Sequence, residues 1–253
     1  MSSPNTFVIS RPMLAATQDP AEVDKIKFPV GATVKLDGIR CEIDDNEAKS
    51  RTFKPIPNRY IRSELERIFS FGKSEFFDGE VLSGNSFQEC SSNVMSFEGE
   101  PDFKFYLFDY VSTTLRETYE KRMEKLAALK IDDPRVIKVL PTIINSVEEL
   151  EAFEAKALDD GFEGVILRSL TGPYKCGRST NKEGYLLKLK RFSDSEAEII
   201  GFEELMHNNN IKTTNNLGLS KRATCQENLV GANTLGTLLV RDIHSNLDFR
   251  IGT

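Results

Sequence analysis

The chain has 253 residues, enough for one large domain or for a large and a small one. No apolar run approaches the roughly eighteen residues of a membrane span, which argues against an integral membrane protein. The N-terminus has no basic region followed by an apolar stretch, so no secretory signal is predicted and an intracellular protein is expected. The four cysteines form no C-x-x-C pair, which suits a reducing compartment, and two histidines argue against a zinc site.

The net charge of −6 at first argues against a nucleic-acid partner. The basic residues are, however, segregated along the chain. Residues 49–73 carry a net charge of +5, residues 168–191 carry +6 and residues 207–222 carry +3, so the rest is strongly acidic. One such stretch is most simply a solvated face, but three together favour a site for a polyanion.

Short apolar and β-branched runs bounded by turn residues predict strands. The runs are 33–43, 75–82, 103–111, 135–144 and 161–168. Strands that come in runs with irregularly placed helices favour an α+β fold with mostly antiparallel sheets.

Helical spacing of apolar residues predicts helices at 61–71 and 115–130. A third helix is predicted from about 147 to 160, because Ser146 and Glu149 have the spacing of a capping box and Gly161 marks the end. From residue 193 the pattern changes to short strands around a long polar stretch, which predicts a small β-domain at 193–253 after a larger domain at 1–192.

Several short motifs are ambiguous when each is considered alone. Lys35-x-Asp37-Gly occurs often at strand ends, Asp78-Gly-Glu80 is ordinarily a turn, and Glu163-Gly is ordinarily a helix end. Residues 187–190 would usually form an amphipathic strand. Phe108 fits a buried core position as well as a stacking position. The joint order and spacing of these motifs is the informative feature.

Six motifs resemble, in order, the nucleotidyltransferase motifs of the ATP-dependent DNA ligases: KLDGIR, SRTFKP, FFDGEV, FYLFDYV, FEGVILR and LLKLKRF. The segments RPMLAAT, YKCGRSTNKEG and IKTTNNLGLSKRAT are similar to the minimal, virus-encoded members of that family. The resemblance runs from about residue 11 to residue 253. It implies an adenylyltransferase domain, an OB-fold, and sealing of nicks between a 3′-hydroxyl and a 5′-phosphate in duplex DNA.

The resemblance assigns the nucleophile to Lys35, which would attack the α-phosphate of ATP, form lysyl-AMP and release pyrophosphate. Only a neutral amine can attack, so neighbouring cations should favour loss of the proton. Lys188, Lys190 and Arg40 would supply positive charge that also neutralises the phosphate.

The remaining nucleotide contacts follow from the same resemblance. Glu80 and Glu163 would bind the ribose and Mg²⁺, for which Mn²⁺ can substitute, because magnesium favours one or two carboxylates with water and phosphate oxygens. Phe108 would stack on adenine and Val165 would close the other side of the base. Thr33 would contact the edge of the adenine.

The DNA contacts are assigned to arginines and to a flexible loop. Arg51 and Arg178 would clamp the 5′-phosphate, since the planar guanidinium suits bidentate phosphate contact. Asp37 would position or deprotonate the 3′-hydroxyl in the third step. A DNA-clasping loop, disordered in the absence of DNA, is expected at about 207–224, where phosphate contacts would come from Lys212, Lys221 and Arg222.

The OB-fold of the family continues beyond the segment that ends at Thr253. The expectation is therefore a fragment, or an incomplete OB-fold that adenylylates Lys35 slowly while still sealing an adenylated nick. Two alternatives stay open: an mRNA-capping guanylyltransferase, which shares the lysine motif but uses GTP, and a non-catalytic nick-binding module. Monomeric action without a membrane is the default expectation, and roles in replication, recombination and repair all fit.

Overall fold

The structure is a computed structural model that describes residues 8–70, 75–191, 195–214, 220–223 and 225–252. The chain divides into two compact units, Met1–Arg191 and Phe192–Thr253. No helix within the described part of the chain is long and apolar enough to cross a lipid bilayer.

The first unit contains strands β1 to β12 and helices α1 to α4. The strands are β1 (Met13–Leu14), β2 (Ala16–Gln18), β3 (Val30–Val34), β4 (Ile39–Asp44), β5 (Glu47–Ser50), β6 (Phe76–Leu82), β7 (Lys104–Val111), β8 (Val136–Lys138), β9 (Thr142–Ile144), β10 (Val165–Ser169), β11 (Gly177–Arg178) and β12 (Leu186–Leu189). The helices are α1 (Arg59–Ile68), α2 (Phe87–Met95), α3 (Tyr119–Ala128) and α4 (Val147–Asp159), and a 3-10 helix spans Pro20–Lys25.

The strands of the first unit form two five-stranded sheets. The first sheet has the order β2-β12-β10-β3-β9 and the second the order β5-β4-β6-β7-β8. Neighbouring strands are antiparallel except for the pairs β2/β12 and β7/β8, and β1 and β11 form a separate parallel pair. The predicted α+β fold with mostly antiparallel sheets is confirmed.

Each sheet buries one face in its own hydrophobic core. The second sheet packs residues such as Phe77 and Phe105 with Ile61 and Leu65 of α1. The first sheet buries Leu167 and Leu189 with side chains of α4. Because side chains alternate along a strand, the residues between these core positions point to the opposite face of each sheet.

The capping signals located helix α4 well. Ser146 Oγ accepts a hydrogen bond from the backbone of Glu149 at 3.3 Å, as the capping-box spacing predicted, and Gly161 follows α4 with φ of +87°. Helix α2 was not predicted, although it carries the same signal: Ser86 Oγ accepts from the backbone of Glu89 at 3.2 Å.

Two of the predicted strands are not continuous. Each divides into two shorter strands that belong to different sheets. Residues 33–43 divide into the end of β3 and the start of β4, which are joined by residues 35–38. Gly38 permits this connection, because a Cβ atom there would lie 2.4 Å from the carbonyl oxygen of Val81. Residues 135–144 divide in the same way into β8 and β9. Apolar pattern alone predicted continuous strands and was wrong at both places.

The second unit contains an antiparallel sheet of β13 (Ala197–Asn208), β16 (Leu229–Asp242) and β17 (Asp248–Gly252). A hairpin of β14 (Lys212–Thr214) and β15 (Ser220–Arg222) occupies part of the stretch that was predicted to be a disordered loop at 207–224. The stretch therefore contains paired strands, and its disorder in the absence of DNA stays a prediction. Residues 215–219 and 224 lie outside the described chain.

Candidate active site

A cavity of about 650 Å³ lies between the two sheets of the first unit. Its walls include residues of β3, β4, β6, β7, β10 and β12. The polar and aromatic residues that line it include Thr33, Lys35, Asp37, Arg40, Arg51, Glu80, Phe108, Arg168, Arg178 and Lys188. Nine residues predicted for the nucleotide and DNA sites therefore meet in one cavity.

Lys35 follows β3, and its backbone N–H donates to the carbonyl of Gly164 at 2.8 Å. Its Nζ lies 2.8 Å from Glu163 Oε2, and the Nζ of Lys190 lies 2.9 Å from the same oxygen. Hydrogen bonds from Lys35 and Lys190 lower the pKa of Glu163. Glu163 and Lys190 thus sit next to the candidate nucleophile, although they do not line the cavity themselves.

Glu80 approaches the other end of the Lys35–Gly38 connection. Its Oε1 accepts a hydrogen bond from the backbone N–H of Gly38 at 2.6 Å, and burial raises the pKa of its carboxyl group. Asp37 is exposed at the cavity. Both carboxylates therefore lie beside the segment that carries the amine.

Arg40 was predicted to add positive charge near the phosphates, but a buried acid already holds it. Its Nε and Nη2 donate to the two oxygens of Asp78, each at 2.6 Å. Its guanidinium carbon lies 4.8 Å from the ring centroid of Phe108. The charge of Arg40 is thus paired with Asp78, and its contact with Phe108 is a feature that the motif did not indicate.

Phe108 is half-buried and lines the cavity, and it belongs to none of the hydrophobic cores. The register between β6 and β7 shifts at this point, since Asp78 pairs with Asp109 while Gly79 pairs with Leu107. Phe108 is thus the extra residue of a β-bulge, a device that redirects a side chain. The geometry favours the stacking position over the core position.

Val165 does not line the cavity, contrary to the prediction. Its side chain is 0% exposed in the core beneath the first sheet. The next residue, Ile166, lines the cavity, because successive side chains of β10 point to opposite faces. The resemblance located the strand correctly, but it selected a residue on the face of the strand that points away from the cavity.

The candidate DNA-binding arginines differ in their surroundings. Arg51 is exposed in the turn after β5, and Arg178 donates from Nη1 to the carbonyl of Ala15 at 2.6 Å. Both arginines line the cavity.

The hairpin of the second unit presents two cations on one face. Lys212 pairs directly with Arg222 in the register of β14 and β15, while Lys221 pairs with Thr213. Arg222 also donates from Nη1 to the carbonyl of Asn210 at 2.7 Å. Like charges directly opposite each other destabilise a strand pair, and an anion across the pair would relieve that repulsion.

The base of the hairpin is fixed by a cluster of amides. Asn210 is buried and donates from Nδ2 to the carbonyls of Ala223 and Cys225, at 3.0 and 2.9 Å. Asn228 Nδ2 donates to its side-chain oxygen at 3.2 Å. These bonds order the ends of the hairpin, which the polar composition did not reveal.

Comparison with known proteins gives a consistent result. A family model described as the ATP dependent DNA ligase domain matches residues 12–190. A solved structure of Chlorella virus DNA ligase-adenylate is 33% identical with a TM-score of 0.65, and the match covers 97% of this chain and 85% of that one. The chain belongs to the ATP-dependent DNA ligase domain family. The resemblance predicted from the motifs is confirmed.

Curated relatives of this ligase domain include the DNA ligase of Enterobacteria phage T4, which is 25% identical over 247 residues. The DNA ligase of Nitrosopumilus maritimus is 26% identical over 210 residues. The matches cover 75% and 74% of this chain but 50% and 35% of those proteins. The chain thus spans about half, or less, of the length of these curated relatives.

The acids of the ligase domain fit magnesium only as partial ligands. No group of three or more His, Cys, Asp or Glu side chains that could hold a metal occurs among the described residues. Glu80 and Glu163 instead flank the Lys35 segment from two sides. This arrangement suits Mg²⁺, which is commonly held by one or two carboxylates together with water and substrate phosphates.

Glu42 is a buried acid of the ligase domain that sequence reasoning did not single out. Its Oε1 lies 3.5 Å from Arg40 Nε, but neither of its carboxylate oxygens has a hydrogen-bond partner among the described residues. Burial, reinforced by the charge of Asp78, raises the pKa of Glu42 to about 8, although Arg40 opposes the shift.

Glu42→Gln is expected to stabilise the chain in a pH-dependent way. The unfolded carboxyl has a pKa of about 4.3, so between that pH and about 8 only the unfolded state loses the proton. The contribution of Glu42 to the free energy of unfolding of the wild type is fully present below pH 4. It decreases as the pH rises through this window. The variant should therefore gain little at pH 4.5 and a few kcal/mol at pH 8, measured by urea unfolding.

Glu64→Gln is the matched control for this measurement. Hydrogen bonds from Arg67 and Arg135 lower the pKa of Glu64, so its substitution should cost stability above pH 5 instead of adding to it. A gain for Glu42→Gln that did not grow with pH would contradict the assignment of a protonated buried acid.

Proposed function

We propose that this chain is an ATP-dependent DNA ligase that joins the 3′-hydroxyl and 5′-phosphate of a nick in duplex DNA. The main observation in support of this function is that Lys35 lines a cavity that is also lined by Phe108 and several cationic side chains. Residues 1–192 would act as the adenylyltransferase domain and residues 193–253 as an OB-fold with a DNA-clasping segment at 207–224.

In the first step the lone pair of Lys35 Nζ forms a bond to the α-phosphorus of ATP, and the bond to pyrophosphate breaks. The amine must first lose a proton. Glu163 lies 2.8 Å from the amine through its Oε2 atom and would fix the position of Nζ beside the cavity that Lys35 lines. Lys190, on the same carboxylate, and Lys188 in the cavity lining add positive charge where phosphate charge accumulates.

The base of the nucleotide would lie between Phe108 and Ile166. Phe108 comes from the second sheet and Ile166 from the first, so the two side chains can contact opposite faces of a planar ring. Thr33, which pairs with Ile166 across β3 and β10, would contact the edge of the base. Bound Mg²⁺, held by Glu80 and Glu163 with phosphate oxygens, would neutralise phosphate charge.

The nick would be held by Arg51 and Arg178, whose guanidinium groups can each bind a phosphate with two hydrogen bonds. The AMP group then passes from Lys35 to the 5′-phosphate, and the 3′-hydroxyl displaces AMP in the last step. Asp37, exposed at the cavity, is proposed to orient that hydroxyl.

The test combines two assays in the presence of magnesium and either ATP or GTP. One measures sealing of a labelled nicked duplex, and the other measures transfer of label to the protein from the nucleotide labelled at the α-phosphate. Sealing with ATP alone supports the proposal. Label transfer from GTP would instead support the capping guanylyltransferase. Nick binding without sealing, even of a nick that is already adenylated, would support the non-catalytic module. Monomeric action and an intracellular location stay predictions.

The hairpin should contribute to DNA affinity through counterion release. Lys212→Ala and Lys221→Ala should each weaken nick binding and each lower the slope of log affinity against log salt by about one. Lys121→Ala, an exposed lysine on α3 outside the cavity lining, is the control and should leave the slope unchanged. Equal slopes for all four proteins would exclude the hairpin from phosphate contact.

A further inference from the structure

Two buried ion pairs lie behind Phe108. Asp109 is 0% exposed, and its Oδ2 accepts from Arg168 Nη1 at 2.5 Å. Arg122 donates to both oxygens of the same carboxylate, at 2.7 and 3.0 Å. Buried acids raise their own pKa by desolvation, yet Arg122 and Arg168 together lower the pKa of Asp109, so it is a fixed negative charge.

The guanidinium carbon of Arg168 lies 5.6 Å from the ring centroid of Phe108. Arg40, held by Asp78, lies 4.8 Å from the same centroid. One aromatic ring therefore contacts two cations, and a buried aspartate anchors each of them. Arg168 approaches Phe108 from the first sheet, because it lies on β10, whereas Arg40 lies on β4 of the second sheet.

We propose that Asp109 is a positioning residue for the nucleotide base, which acts through Arg168 on the ring of Phe108. This inference rests on the proposed function, because it requires a nucleotide in the cavity. Phe108 projects from a bulge and is half-buried, so backbone pairing alone fixes its direction poorly. A cation near a partly desolvated ring supplies an orienting attraction that the flanking residues do not.

The anchoring has a further physical reason. An arginine without a counter-charge would move toward water or toward the ligand phosphates. Asp109 keeps Arg168 against the ring and at the same time compensates its charge. The orientation of the base is thereby separated from the binding of the phosphates, which the lysines on β12 and after β3 perform.

The experiment measures label transfer from ATP carrying label in the α-phosphate, as a function of ATP concentration. Asp109→Asn should raise the ATP concentration for half-maximal rate about tenfold and change the rate at saturation much less. Inorganic triphosphate, which has no base, should compete equally well against both proteins. In a Phe108→Ala background the effect of Asp109→Asn on ATP should disappear.

Asp133→Asn is a matched control. Asp133 pairs with Arg135 at 2.8 Å, and Arg135 lies 5.4 Å from the ring centroid of Phe103, so the same three residue types meet outside the cavity. This variant should leave the ATP dependence unchanged. If Asp109→Asn does not fold, Arg168→Lys provides the second test, since it keeps the charge and loses the planar contact; it should show the same tenfold shift.

The possible failures are distinguishable. No label in the wild type would defeat the proposed function itself. Label in the wild type, with an Asp109→Asn effect that persists fully in the Phe108→Ala background or that weakens inorganic triphosphate equally, would overturn the positioning role. An unchanged ATP dependence in both Asp109→Asn and Arg168→Lys would overturn it as well.

Discussion

Lys35→Ala should abolish the transfer of AMP from ATP to the protein, with a fall on the order of a thousandfold or more. The Nζ atom of Lys35 is the group proposed to form the covalent bond, and no substitute amine is expected to reach the same phosphorus. The measurement is protein-bound label after incubation with magnesium and ATP labelled at the α-phosphate. Binding of a nicked duplex should be largely preserved.

Lys35→Arg separates chemistry from the ion pair with Glu163. An arginine keeps the positive charge beside the carboxylate, which lies 2.8 Å from the lysine amine, but it is not a nucleophile at neutral pH. Both variants should therefore be equally inactive while Lys35→Arg retains more stability. Label on either variant at the wild-type rate would show that another residue is the nucleophile.

Gly164→Ala should produce the largest loss of stability of any conservative change near the site. Gly164 has φ of +153°, and a Cβ atom there would lie 2.2 Å from the carbonyl oxygen of Leu189. The conformation is strained for any other residue and the contact is with backbone, so a cost of about 3 kcal/mol or more is expected. Its carbonyl also accepts from the backbone of Lys35, so label transfer should fall too.

Gly161→Ala is the control for backbone strain without a clash. Gly161 has φ of +87°, and an added Cβ would meet no atom of the described residues within 4 Å. This variant should cost about 1–2 kcal/mol and leave label transfer intact. The comparison uses urea unfolding followed by circular dichroism. Equal losses for the two variants would show that close packing against Leu189 does not matter.

Much of the fold and of the site could be predicted from the sequence. Local signals were sufficient to predict helix α4, because Ser146 caps its start and Gly161 follows its end. Family motifs sufficed for Lys35, Glu80 and Phe108, which do line one cavity. Such features depend on residue type and order along the chain.

Other features depend on how distant segments pair. The strand that contains Val165 and Ile166 begins with three apolar residues, so these residues alone do not show which face meets the cavity. Pairing with β3 and β12 decides it. Arg168 belongs to the motif FEGVILR, but its partner Asp109 is 59 residues away in the sequence. No local period could reveal that pair.

The short connection at residues 35–38 has a consequence for the cost of ligand binding. It joins β3 of one sheet to β4 of the other, so the separation of the sheets is limited by four residues of backbone. At this end the width of the slot therefore has an upper limit that is set by folding, whether or not a nucleotide is bound. Binding then orders few additional dihedral angles, and the conformational entropy that a loop-built pocket would lose is already lost during folding.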